Sequence, residues 1–232
     1  IPKPWEKEKL LATLSSGMKL RRSRTEINLL KEQVEVLSNA TAGGSEEIII
    51  GDSPVMQQVF STVEKLRDTD ANILILGENG TGKDVIARML YRNSPRYGKP
   101  FVTIDLGSIP EQLFESELFG YEKGAFTDAR KAKVGRMEVA TGGTLFLDEI
   151  GNLSLPMQAK LLTAIEKRCI SRLGSTQATP IDVRLICATN ADIRRLVDEG
   201  DFRQDLLYRI NTIELHIPPL RERGNDILLL AE

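Results

Sequence analysis

Residues 73–84 read Ile73-Leu74-Ile75-Leu76-Gly77-Glu78-Asn79-Gly80-Thr81-Gly82-Lys83-Asp84, and this stretch decides the fold of the chain. A short apolar run of this kind is typical of a buried parallel strand, and residues 85–91 continue with the spacing of a helix. A glycine-rich loop that ends in Gly-Lys between a strand and a helix predicts a P-loop, which binds phosphate through backbone N–H groups and the helix N-terminus. An ordinary glycine turn is the plainer interpretation, but it does not account for the strand and the helix on either side.

The loop supplies the residues expected to hold a nucleotide. Lys83 is expected to reach the β and γ phosphates. Asp84 stands where a Ser or Thr usually follows the lysine. Direct ligation of Mg²⁺ by a hydroxyl is therefore not available, and we expect the Asp84 carboxylate to hold the metal through water. The residues expected to bind nucleotide are Gly77, Glu78, Asn79, Gly80, Thr81, Gly82, Lys83, Asp84 and Val85.

A second apolar run, residues 143–147, ends in the adjacent carboxylates Asp148 and Glu149. This pattern resembles a Walker B strand, although solvated strand ends often carry acids as well. Because successive residues of a strand point in different directions, Asp148 is expected to face Mg²⁺ and Glu149 the attacking water. Residues 100–104 are a further strand candidate between the two motifs. One strand is therefore expected to be inserted between the two Walker strands.

Residues 181–188 form a third strand signal, which ends at Thr189-Asn190. An asparagine at the tip of such a strand, beside the γ phosphate, is suited to hold a water molecule. Its plainer interpretation is a turn residue that ends the strand. The other two motifs favour the functional interpretation of Asn190.

Together with three further segments, these motifs resemble the AAA+ central domain of bacterial sigma-54-dependent transcription activators, from about Ile48 to the end of the chain. Residues 117–129 (ELFGYEKGAFTDA) look like the loop with which the family contacts the sigma factor. Residues 201–211 (DFRQDLLYRIN) are similar to the segment that supplies arginine fingers, and residues 217–223 (IPPLRER) resemble the exit from the last core strand. The resemblance implies partner contacts at Gly124, Ala125, Phe126, Thr127, Asp128 and Ala129.

The same resemblance implies the fold, the reaction and the partners. The fold is a three-layer α/β P-loop AAA+ core with a parallel sheet, preceded by a helical linker and followed by a helical lid that is truncated here. The expected activity is ATP hydrolysis with Mg²⁺, coupled to remodelling of sigma-54 RNA polymerase. Arginine fingers act on a neighbour's nucleotide, so a hexamer or heptamer ring is implied, and DNA is contacted only through a C-terminal domain absent from this chain. The residues expected to act in catalysis are Glu149, Lys83, Arg203, Arg209, Asn190 and Asp105.

The chain departs from the family pattern at three positions. Asp84 replaces the usual glutamate, which is a mild change. Asp105 stands where the family often has an asparagine that switches the catalytic glutamate, so that switch is expected to be retuned or pH-sensitive. Asp128 replaces the second glycine of the contact loop, which adds a charge and restricts a backbone position that glycine leaves free.

Residues 1–45 differ in character from residues 46–232, which we assign to the ATPase α/β subdomain. Lys3-Pro4 resembles the tail of a response-regulator receiver domain. Leu20, Ile27 and Val34 recur every seven residues, which predicts a short coiled coil and a dimer. An amphipathic helix packed on the core is the alternative. Residues 38–45, with two adjacent glycines, are typical of a linker.

Composition excludes several classes of protein. The 232 residues carry a formal net charge of −2, with no basic field for direct DNA binding. Two cysteines and one histidine are too few for a disulfide framework or a metal site. No apolar stretch approaches about 18 residues, so the expected location is the cytoplasm, without membrane insertion.

Two other functions remain open from the sequence alone. Another AAA+ machine, such as a helicase loader, would use the Phe126 loop on nucleic acid, and four basic residues in or beside that loop favour it: Lys123, Arg130, Lys131 and Lys133. A scaffold that binds nucleotide and dimerises without catalysis is the other. The intact pair of Asp148 and Glu149 argues against that scaffold.

Overall fold

In the computed structural model of the protein, the described residues are 51–231, with the side chain of Ala231 excluded. The expected receiver tail, the heptad positions Leu20, Ile27 and Val34, and the linker at 38–45 lie outside this range. The dimer expected from the heptads therefore stays a prediction.

Short runs rich in Ile, Leu and Val form the core strands, and the segments between them are mostly helical. In chain order, the strands are β1 (Ile73–Leu76), β2 (Phe101–Asp105), β3 (Gly120–Tyr121), β4 (Lys133–Val134), β5 (Thr144–Asp148), β6 (Cys169–Ser171), β7 (Ala178–Pro180), β8 (Arg184–Thr189) and β9 (Ile213–His216). The helices are α1 (Pro54–Lys65), α2 (Lys83–Arg92), α3 (Glu111–Phe119), α4 (Arg136–Val139), α5 (Leu155–Lys167), α6 (Ile193–Glu199), α7 (Gln204–Ile210) and α8 (Asp226–Ala231). Short 3₁₀ turns cover Ile150–Asn152 and Leu220–Glu222.

The central sheet has five parallel strands in the order β2-β5-β8-β1-β9. Both of its faces are covered by helices, as all-parallel sheets require. In β1, Ile73 and Ile75 pack with α1 and α2 on one face, while Leu74 packs on the other face with α3, α5 and α7. All three side chains are fully buried. The predicted three-layer α/β core with a parallel sheet is confirmed.

The predicted strand order is wrong in one respect. A single strand does lie between β1 and β5, but it is β8, and the candidate at residues 100–104 is the edge strand β2. Burial explains the difference, because all six residues of β8 are buried whereas Thr103 and Asp105 of β2 are exposed. A strand that is buried throughout belongs at the centre of a parallel sheet.

A small antiparallel pair, β3 and β4, flanks residues 122–132, which include the predicted partner contacts at 124–129. The two backbones approach closely at Gly120, which has φ +76°. A Cβ atom there would lie 2.4 Å from the carbonyl oxygen of Lys133. Only glycine fits at this position, so the base of the loop is fixed by close packing of backbone.

Of the helices within residues 51–231, none combines the length and the apolar character needed to cross a membrane.

Candidate nucleotide site

The P-loop joins β1 to α2 at the carboxyl edge of the sheet. Gly80 and Gly82 have φ of +76° and +87°, a region that residues with a Cβ rarely adopt. A Cβ on Gly77 would lie 3.1 Å from the carbonyl oxygen of Ile217, so this glycine allows a close approach by the chain beyond β9. The glycines of the sequence motif are therefore required by backbone geometry.

Lys83 is the first residue of α2, and its side chain is 7% exposed. Its Nζ donates to the carbonyl oxygens of Gly77 at 3.2 Å and Glu78 at 3.4 Å. It also lies 3.3 Å from Oε1 of Glu149. The ammonium is thus held at the mouth of the loop, in direct contact with the carboxylate predicted to polarise water.

Glu149 follows β5 in a left-handed conformation, with φ +54°. This backbone conformation costs about 1–3 kcal/mol for a residue other than glycine, and such strain is concentrated at functional sites. The turn directs the carboxylate between Lys83 and the next strand, where Oε2 accepts a hydrogen bond from the backbone N–H of Asn190 at 3.2 Å. Glu149 therefore links β5, α2 and the end of β8.

Asp148 is the last residue of β5. Its Oδ1 accepts a hydrogen bond from the N–H of Glu149 at 3.0 Å. Burial raises the pKa of the Asp148 carboxyl, and the negative charges of Glu149 and Asp105 add to that effect, while the Glu149 N–H and the charge of Lys83 oppose it. The carboxylates of Asp105, Asp148 and Glu149 are therefore close enough to one another to interact at this edge of the sheet.

Asp84 lies in the exposed first turn of α2. Within residues 51–231, no three His, Cys, Asp or Glu side chains are grouped so that they could hold a metal ion by themselves. A cation at Asp148 would consequently depend on water and on phosphate oxygens for most of its ligands, which is the usual mode for Mg²⁺.

Asn190, just after β8, contacts both the P-loop and Glu149. Its Nδ2 donates to Oδ1 of Asn79 in the P-loop at 2.8 Å, while its backbone N–H binds Glu149. The three sequence motifs therefore meet at one place. The contact between Asn79 and Asn190 was not predicted, because it joins two loops 111 residues apart.

Asp105 lies at the end of β2, beside Asp148 in the strand register. Its Oδ1 accepts a hydrogen bond from the N–H of Gly107 at 2.8 Å. A Cβ on Gly107 would lie 3.2 Å from that oxygen and 3.8 Å from the Cβ of Glu149. Asp105 is thus adjacent to the carboxylates of β5, at the position where the resemblance places a switch residue.

The two predicted arginine fingers lie at opposite ends of α7. Arg203 precedes this helix, is exposed, and forms a bidentate ion pair with Asp205, the shorter contact being 2.6 Å. Arg209 is in the last turn of α7 and lines a cavity of about 270 Å³. That cavity lies at the amino edge of the sheet, since Asn72, Val183 and Thr212, which also line it, precede β1, β8 and β9.

The predicted contact loop is folded into tight turns on β3. Gly124 N–H donates to the Ala129 carbonyl at 2.8 Å, and Ala129 is buried. Phe126 is 44% exposed and packs edge-on against Tyr121, with ring centroids 4.8 Å apart. Asp128 is exposed and does not have a positive φ, so the expected backbone restriction causes no strain here.

Sequence reasoning missed a group of residues beyond β9. Arg221 forms a bidentate ion pair with Glu78, at 2.7 and 2.8 Å, and Arg223 donates to the Thr81 carbonyl at 2.6 Å. The only signal was the run Leu-Arg-Glu-Arg at residues 220–223, which does not by itself reveal that both arginines contact the P-loop.

A parallel sheet with a P-loop, a neighbouring acidic pair and a polar residue on the intervening strand defines a P-loop ATPase of the AAA+ class. Comparison with protein families agrees, because residues 49–216 match the model of the sigma-54 interaction domain. The chain belongs to this family. The sigma-54 interaction domain is an AAA+ P-loop ATPase domain, as predicted from the motifs.

Individual relatives give the same result. The chain is 45% identical over 230 residues to the C4-dicarboxylate transport transcriptional regulatory protein DctD of Pseudomonas aeruginosa, covering 99% of this chain and 49% of the relative. It is 42% identical over 231 residues to the DNA-binding transcriptional regulator NtrC of Escherichia coli, covering 100% and 47%. Among solved structures, NtrX from Brucella abortus in complex with ATP matches with a TM-score of 0.75 and 30% identity, covering 100% and 47%. The chain spans about half the length of the curated relatives it matches.

Proposed function

We propose that this chain is the ATP-hydrolysing module of a sigma-54-dependent response regulator, which uses ATP to remodel sigma-54 RNA polymerase in the cytoplasm. The observation that carries the proposal is the convergence of Lys83, Glu149 and Asn190 at the mouth of the P-loop. The relatives are regulators of transcription by name, and NtrX has been solved with ATP.

In this proposal each residue has a defined role. The loop amides and Lys83 bind the phosphates, and the Lys83 charge compensates the charge that develops on the transferred group. Glu149 polarises the attacking water, and Asn190 holds that water beside the γ phosphate. Asp148, helped by Asp84 through water, would hold Mg²⁺, which supplies further compensation of phosphate charge.

Lys83 must exchange partners when a nucleotide binds. Its ammonium now contacts Glu149 at 3.3 Å, so phosphate oxygens would compete with that carboxylate for the same charge. Release of Glu149 from Lys83 would leave the carboxylate available to water. Phosphate binding and activation of the base are thereby coupled.

Arg203 and Arg209 are proposed to act on the nucleotide of a neighbouring subunit, in a ring of six or seven copies. Arg203 directly precedes α7, and Arg209 lies in its last turn, at the amino edge of the sheet and away from its own P-loop. Phe126, exposed on the loop between β3 and β4, is proposed to contact the sigma factor.

The direct test is phosphate release by the chain as a function of ATP concentration, with and without sigma-54 RNA polymerase. Lys83→Ala should bind ATP more weakly and release little phosphate. Phe126→Ala should retain ATP hydrolysis and lose transcription activation by the longer regulator. Tyr97→Ala, another exposed aromatic, serves as the control and should retain both. Loss of hydrolysis in Phe126→Ala would contradict the assigned partner contact.

A further inference from the structure

The chain beyond β9 follows the P-loop closely. We call residues 217–226 the strap. Its Ile217 N–H donates to the Leu76 carbonyl at 2.8 Å, just before the loop begins. Arg221 then binds Glu78 inside the loop, and Arg223 binds Thr81 further along it. Three successive points of the strap therefore contact the end of β1 and then two successive points of the P-loop.

Arg223 is the buried member of these contacts, with 5% of its surface exposed. Its Nη2 lies 2.6 Å from the Thr81 carbonyl oxygen and its Nε lies 2.9 Å from that of Pro218. Burial lowers the pKa of its guanidinium, and the negative charge of Asp226 opposes that effect. A buried charge is costly unless it is well bonded, so these two carbonyls fix the position of the side chain.

The Thr81 carbonyl matters because of the peptide it belongs to. In a trans peptide the C=O of one residue and the N–H of the next point in opposite directions. Thr81 is followed by Gly82, which has no Cβ and adopts a φ of +87°. When Arg223 holds the Thr81 oxygen on the strap side, the Gly82 N–H is directed to the opposite side, into the loop.

The far end of the strap is also anchored. Asp226 is 1% exposed and accepts hydrogen bonds from the N–H groups of Asp52 and Ser53, at 2.8 and 2.9 Å. The Ser53 hydroxyl donates to the other oxygen of the same carboxylate at 2.6 Å. These hydrogen bonds lower the pKa of Asp226, and the bond from the Ser53 hydroxyl contributes most to that effect. Arg223 thus lies between the P-loop and the start of α8, which Asp226 anchors to Asp52 and Ser53.

We propose that Arg223 is a positioning residue for nucleotide phosphates, which acts by orienting the Thr81–Gly82 peptide so that the Gly82 N–H faces the bound phosphate. This inference rests on the proposed nucleotide binding and adds a residue outside the three sequence motifs. It assigns no contact between Arg223 and the nucleotide itself.

Arg223→Met tests the proposal because it keeps a flexible, unbranched side chain at this buried position and removes the donors. Arg195→Met, at an exposed arginine paired with Glu199, is the control. In the nucleotide-free chain, amide hydrogen exchange of residues 77–84 should accelerate in Arg223→Met and not in the control. The affinity for ADP should fall about 10-fold, whereas the affinity for AMP, which lacks the β phosphate, should stay within about twofold.

Equal losses of ADP and AMP affinity, or unchanged exchange in residues 77–84, would overturn the proposal in favour of a merely structural role. If Arg223→Met does not fold, Arg223→Lys decides. Its single ammonium cannot reproduce the fixed fork to two carbonyls, so ADP affinity should fall about threefold, and wild-type affinity would overturn the proposal. A wild-type chain that binds no ADP would contradict the proposed function, while the exchange comparison still tests whether Arg223 holds the loop.

Discussion

The two edges of the central sheet differ in how their charges are compensated. At the carboxyl edge, Lys83 and Glu149 lie 3.3 Å apart, and Asn190 binds both Glu149 and the P-loop. At the amino edge, Arg168 and Arg209 line the cavity, and neither forms an ion pair with another residue of the described range. The charges at the carboxyl edge are paired within the chain, whereas at the amino edge no carboxylate of residues 51–231 contacts Arg168 or Arg209, although the charge of Arg168 helps to lower the pKa of Asp70.

Arg96 is an arginine of the amino edge that does form ion pairs within the chain. Its guanidinium contacts Asp70 at 2.6 Å and Asp182 at 3.0 Å, and both acids line the same cavity. Within residues 51–231, no carboxylate contacts Arg209 in this way. The contrast supports a site divided between two chains, with the phosphate-binding half at one edge and the finger half at the other.

The largest effect is expected from the finger half. Arg209→Ala should lower ATP turnover by about 10³-fold to 10⁵-fold, because a finger compensates charge only in the transition state, while ATP binding at the chain's own P-loop persists. Phosphate release and a fluorescent ATP analogue measure the two quantities. Arg194→Ala, at an exposed arginine paired with Glu214, is the control and should retain turnover. If ATP binding and turnover fell equally, Arg209 would act on the nucleotide of its own chain, and the prediction would be contradicted.

The phosphate half is tested by Glu149→Gln. Turnover should fall by about 10²-fold to 10⁴-fold, since an amide cannot polarise water as a base. ATP affinity should be retained or increased, because the variant frees Lys83 from its carboxylate partner. Glu199→Gln provides the control at an exposed glutamate. Turnover that remains at the wild-type rate would remove Glu149 from the mechanism.

Arg168 offers a smaller test at the amino edge. It follows α5 with φ +48°, a conformation that favours glycine. Arg168→Gly should raise the free energy of unfolding by about 1 kcal/mol. This net gain is the backbone strain that glycine relieves, reduced by the extra conformational entropy that glycine gives the unfolded chain. Arg168→Ala removes the same charge but keeps the strain, so it should bring no such gain. If denaturant titration gave the alanine and glycine variants the same free energy of unfolding, this account of the strain would be contradicted.

The smallest effect is expected at the carboxyl edge, from Asp148→Asn. Burial raises the pKa of Asp148 in the folded protein, so the charged form is disfavoured there, and the stability that this group contributes is lost as the pH rises from its unfolded pKa of 3.8 through the higher pKa of the folded state. The asparagine variant should therefore melt at a higher temperature than wild type at pH 7 without nucleotide. The difference should vanish below the unfolded pKa. A lower melting temperature at pH 7 would show that the carboxylate is stabilised as an anion.

Much of this molecule is predictable from local sequence. The strand, loop and helix around Lys83 follow from a spacing contained within about 20 residues, and the ends of β5 and β8 follow from apolar runs that stop at polar residues. The family resemblance added the order of the motifs, and the family match supports sigma-54 activation over a helicase loader.

What could not be predicted depends on contacts between distant parts of the chain. β2 lies at the edge because β8, which is buried on both faces, takes the central position. The sequence of one strand alone does not show which of the two will be central. The bond from Arg223 to the Thr81 carbonyl spans 142 residues and ends on a backbone atom. A side chain that recognises backbone leaves no complementary residue type in the sequence.

The division of the site between two chains is tested most directly by mixing inactive variants. A chain with Arg209→Ala keeps an intact Glu149, and a chain with Glu149→Gln keeps an intact Arg209. When mixed rings are demonstrated by mass, interfaces that pair the two intact residues should recover measurable phosphate release, although each variant alone stays inactive. Absence of any recovery in demonstrated mixed rings would contradict a shared site.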